Sequence, residues 1–70
     1  MSRLMLTLCA ADDGWQLYEG IEGRQWFAHH DEALATADVI ATQLHECHGI
    51  PTAVVIDMAG REAVEISRHG

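Results

Sequence analysis

Apolar and polar residues alternate along the first ten positions. Leu4, Leu6 and Leu8 fall on one side at period two, and Met5, Thr7 and Cys9 on the other, the pattern of a half-buried strand. Asp12-Asp13-Gly14 supplies turn chemistry, through glycine's freedom at positive φ and aspartate's bonds to its own backbone. Trp15-Gln16-Leu17-Tyr18 alternates again, with Trp15 and Leu17 as the inward pair. Gly20 through Gly23 reads as a second turn, after which Arg24-Gln25-Trp26-Phe27-Ala28 returns as a third short strand.

From about His30 to His48 the period lengthens to that of a helix. Ala33, Leu34, Ala37, Ile40, Ala41, Leu44 and Cys47 converge on one stripe at 100° per residue, and the alanines let the helix axis come close to a sheet. Asp31 and Glu32 suit the positive end of the helix dipole. Glu32 stands three after His29, where a capping box places its glutamate, although His29 substitutes poorly for Ser or Thr. Gly49 and Pro51 stop the helix. Thr52–Asp57 is β-branched and reads as a buried strand; Ala59-Gly60 reads as a tight turn; Arg61 to Arg68 alternates, with Val64 and Ile66 on one face.

The expectation is an α+β fold. An antiparallel or mixed sheet of four to five strands carries one long helix on one face, in the order β-β-β-α-β-β. With 70 residues and no linker or repeat, residues 1–70 form a single small domain. Strand order stays open at this level.

Gly14-Trp15-x-Leu17 after a polar turn, Phe27 before Glu32-Ala33-Leu34, then Ala37, Ala41, Gly49, Val54-Val55-Ile56 and Gly60 span nearly the whole chain. In these features the chain resembles a family of small bacterial proteins, a domain of unknown function with a strand-strand-helix-strand-strand plan. Its alanine- and histidine-rich, lysine-free style resembles hypothetical proteins of Burkholderia-like bacteria. Family members carry Thr or Ser at the helix cap, where this chain has His29. The resemblance implies a fold and no catalytic residue.

Charge narrows the partners. Eleven acids face four arginines and no lysine, a formal charge of -7. Arg3, Arg24, Arg61 and Arg68 are scattered, so the expectation is no nucleic-acid and no anionic-membrane contact, both of which need clustered cations. No stretch approaches the ~20 apolar residues of a membrane helix, and the apolar run before Cys9 is shorter than a signal core of ~7–15 residues. A cytoplasmic protein with two free thiols, Cys9 and Cys47, is expected.

Candidate chemistry is sparse. His45, Cys47 and His48 at the helix end are of the residue types that hold zinc or copper. Yet Cys47 lies about 200° from His45 around a regular helix, and the plainer reading makes Cys47 a small buried hydrophobe. His29-His30 sits at the opposite helix end, too far away to share a site. Cys9 has no local activating base, Gly20-x-x-Gly23 precedes neither lysine nor helix, and Asp12-Asp13 reads as a solvated pair. The expectation is therefore no enzyme and no cofactor.

Association is the better reading. One helix covers one face of the sheet, with Leu6, Leu17, Val54, Ile56, Val64 and Ile66 inward. The other face then displays Met5, Cys9, Tyr18, Ala53, Val55 and Ala63, broken by Thr7, Gln16, Asp57, Glu65 and Ser67. Met5, Tyr18 and Val55 are the candidate interface. The partner would be a second copy, through the open face or an edge strand, or an unknown protein. Metal binding by His45, Cys47 and His48 is the alternative function.

Overall fold

The alternation at the start of the chain becomes the middle of a sheet. In the computed structural model, which describes residues 3–58 and 63–70, five strands and one helix follow in order. They are β1 (Leu4–Ala10), β2 (Trp15–Glu19), β3 (Glu22–Phe27), α1 (His30–His48), β4 (Thr52–Asp57) and β5 (Val64–His69). The expected turn at Ala59-Gly60, and Arg61, lie outside the described residues. The sheet order is β3-β2-β1-β4-β5. β1 pairs parallel with β4, and the other three pairings are antiparallel, so the sheet is mixed.

One face of the sheet is dry. Leu6, Leu8, Leu17, Phe27, Val54 and Ile56 meet Ala33, Ala37 and Ala41 of α1 in a single core, with Trp15, Leu34 and Ile40 packed at its margin. The three alanines recur every fourth residue and are fully buried; with no side chain beyond Cβ, they bring the helix backbone down onto the strands. Thr52 exploits this closeness. Its buried hydroxyl donates to the Ala41 carbonyl at 3.0 Å, which satisfies this polar group inside the core.

The ends of α1 follow the expected signals in part. His29 takes the extended N-cap conformation without a side-chain cap, while Gly49 adopts φ 66°. The Gly49 N–H donates to His45 and the Ile50 N–H to Leu44.

Three local expectations are corrected. The β2–β3 turn is only Gly20-Ile21, with Glu19 opposite Glu22; Gly20 alone takes positive φ, and Gly23 lies within β3. Gly14 does not use the left-handed region either. A Cβ there would stand 2.2 Å from the Phe27 carbonyl oxygen and 2.7 Å from Trp26, so close approach between β2 and β3 is what requires glycine. Cys47, expected in the buried stripe, is exposed. A contact repeating every four residues drifts about 40° per step, so the stripe through Ala33, Ala37 and Ala41 continues to His45 and leaves Cys47 to one side.

Both edge strands are bulged. Between Gln16 and Tyr18 of β2 the register on β3 jumps from Trp26 to Gly23, and between Val54 and Val55 of β4 the register on β5 jumps from Ser67 to Glu65. The extra residues on the outer strands, Ile66 among them, kink each free edge.

Candidate functional site

The register lays out the helix-free face as a grid. Trp26, Gln16, Cys9 and Asp57 form one row, Gly23, Tyr18, Thr7, Val55 and Glu65 the next, and Met5, Ala53 and Arg68 the third. Small residues lie along the middle, with larger ones around them. Trp26, at 48% exposure, and Met5 stand open, and Tyr18 is half-buried.

Val55, expected to be displayed there, is a correction: it lies on this face but is only 6% exposed. Its strand is interior, between β1 and β5, and its register neighbours Thr7 and Glu65 flank it on both sides. Of the three candidate interface residues, the fold therefore leaves Met5 and Tyr18 accessible and withdraws Val55.

The charges on the grid are few. Asp57 stands beside Cys9, and Glu65 pairs with Arg68 at 3.1 Å. Burial, and then the charge of Asp57, push the Cys9 thiol up from its ordinary pKa, the opposite of what a nucleophilic cysteine requires. The remaining described acids lie elsewhere. Asp12 and Asp13 are in the β1–β2 loop, Glu19 and Glu22 flank the β2–β3 turn, and Asp31, Glu32, Asp38 and Glu46 are on α1, which carries no arginine.

On the helix side, β5 departs from expectation. Val64 and Ile66 were to be inward residues, yet they are 54% and 46% exposed. They do face the helix layer, but α1 touches the outermost strand only through polar side chains and does not cover its apolar residues. A groove of about 400 Å³ remains between them, lined by Asp31, Leu34, Ala35, Asp38, Ile66 and Ser67.

A polar clasp closes one end of that groove. Ser67 Oγ donates to Asp38 Oδ1 at 3.1 Å, His69 Nε2 lies 3.0 Å from the same oxygen, and Thr42 Oγ1 lies 3.4 Å from His69 Nε2. Ser67 and His69 share an acceptor instead of facing each other. The hydroxyl that does meet the imidazole, that of Thr42, approaches the same Nε2 that meets Asp38, so the carboxylate does not sit behind the ring at Nδ1 as it does where a hydroxyl is activated. At the same end of β5, Arg3 donates to the carbonyls of Thr52, His69 and Gly70.

The helix-end trio is not brought together. His45 faces the C-terminal Gly70, whereas Cys47 and His48 line a second groove on the other flank of α1, beside the Arg24–Glu19 ion pair. Among the described residues no three His, Cys, Asp or Glu side chains are grouped as metal ligands would be. His30, at the opposite helix end, stacks edge-on against Trp15 at 4.9 Å. Among those residues, too, no helix is long and apolar enough to cross a membrane.

The chain matches no family model, no curated protein and no solved structure.

Proposed function

We propose that this is a non-enzymatic protein-contact domain that forms a homodimer through its helix-free sheet face. The segregation of charge carries the reading. A chain of net charge -7 repels its own copies, and the face on which that repulsion is weakest carries only Asp57 and the self-neutralised Glu65–Arg68 pair among the described residues. Sheets stack about 10 Å apart. Back-to-back packing would turn both acidic helix layers outward, separated by more than the ~8 Å Debye length of physiological salt.

The same face offers Met5, Tyr18 and Trp26, residue types favoured in interfaces. The bulged outer strands disfavour the edge-to-edge alternative.

Sedimentation equilibrium at micromolar concentration tests the reading. A dimer is expected for the unaltered chain, a monomer for Trp26→Glu, and an unchanged dimer for Val39→Glu on the outer helix surface. A strict monomer, or a dimer indifferent to Trp26→Glu, would refute it.

A further inference from the structure

The groove between α1 and β5 lies on the opposite side of the sheet from that dimer face. Its floor is apolar: Leu34 and Ala35 from the helix, Ile66 from the strand, with the exposed Val64 alongside. Its helix wall ends in two carboxylates, Asp31 and Asp38. Seven residues apart, they lie on the same side of α1 about 10.5 Å from each other along its axis.

Little positive charge faces them from within the described chain. Arg3 is spent on backbone carbonyls, Arg24 on Glu19 and Arg68 on Glu65. Only imidazoles approach, His69 at Asp38 and His30 at 3.6 Å from Asp31. Asp31 remains fully open to solvent. A second copy of this acid-rich chain is a poor occupant, because it would bring carboxylates to carboxylates.

We infer that this groove docks an extended segment of another protein that carries a basic residue at each end of an apolar centre. In a strand, residues i, i+2 and i+4 point the same way, and i to i+4 spans about 13 Å. Arginines at the ends reach Asp31 and Asp38 with their guanidinium groups, laying their aliphatic stems along Leu34 and Ile66. The residue between them fills the floor over Ala35. The volume suits one such side chain and two stems, not a folded domain.

The probe is the peptide acetyl-Arg-Ser-Ile-Ser-Arg-amide, titrated into the isotope-labelled chain and followed by amide NMR shifts. Changes are expected at residues 31–38 and 64–67. Replacing the peptide's isoleucine by serine should weaken binding at least fivefold, and replacing both arginines by glutamate should abolish it; neither change touches the protein. Asp31→Asn/Asp38→Asn should weaken binding at least tenfold, whereas Asp12→Asn/Asp13→Asn, which removes equal charge from the loop, should leave it within twofold. Equal losses in the two double variants would reduce the effect to net charge and overturn the inference, as would tight binding of the serine peptide. Shifts at Tyr18 and Trp26 instead would put the segment on the other face and overturn it too. None of these outcomes depends on the dimer, which sedimentation reads separately.

Discussion

His69, in the last position of β5, sits 3.0 Å from Asp38 in the middle of α1 and ties the sheet's outermost strand to the helix. Where Val64 and Ile66 fail to reach the helix, this polar contact and its Ser67 companion take the place of apolar packing.

The hydrogen bond from His69 chiefly, against a smaller opposing effect of burial and with help from Ser67, holds the Asp38 carboxyl below its ordinary pKa. A depressed carboxylate adds stability above its unfolded value of about 3.9, and that stability is lost as pH falls through the folded value. Asp38→Asn should therefore lower the melting temperature at neutral pH, and the gap to the unaltered chain should shrink as the pH is taken below the unfolded value. Paired thermal melts at the two pH values check this.

Gly14→Ala should be disproportionately costly for a single methyl. The added carbon would meet the Phe27 carbonyl at 2.2 Å, a backbone atom that moves only if β3 moves. A loss of roughly 1–3 kcal/mol is expected, read from denaturant unfolding. Gly49→Ala, with nothing within 4 Å of the new methyl but φ at 66°, should show the ordinary penalty of a left-handed cap, roughly 1 kcal/mol.

Ala37→Leu presses on the tight packing of α1 against the sheet. Ala37 has no exposed surface in the core layer, so the larger side chain should cost about 1–3 kcal/mol or lift the helix. Ala35→Leu, two residues away on the exposed side, should be nearly neutral to folding. Chemical denaturation of the two variants separates these outcomes.

The two thiols should react very differently. Cys47 is exposed, whereas Cys9 is half-buried with its thiolate disfavoured by burial and by Asp57. Alkylation near neutral pH, followed by mass spectrometry, should label Cys47 first by at least about tenfold, and Asp57→Asn should speed the labelling of Cys9.

The element order and the core were legible in the sequence because both rest on period. Leu6, Leu17, Val54 and Ile56 are buried on one face, and the alanine stripe of α1 meets them. Strand order was not legible. The parallel pairing of β1 with β4 joins segments more than forty residues apart, which no local signal encodes.

The misplaced strand residues share a cause. Val64, Ile66 and Val55 were assigned from the repeat of their own strand, yet their exposure depends on how far α1 extends sideways and on which strands flank β4. The α1–β5 groove escaped notice for the same reason: it is a gap between elements. Its sequence trace is Asp31-x-x-Leu34-Ala35-x-x-Asp38, carboxylates bracketing apolar residues on one side of the helix, and no local signal says that β5 lies opposite them.

The kinked outer strands bear on what happens at high concentration. An assembly that grows strand by strand needs straight, open margins to template the next molecule, and here both margins are bent. Such a molecule should resist fibre growth in crowded solution better than a similarly small sheet with regular borders.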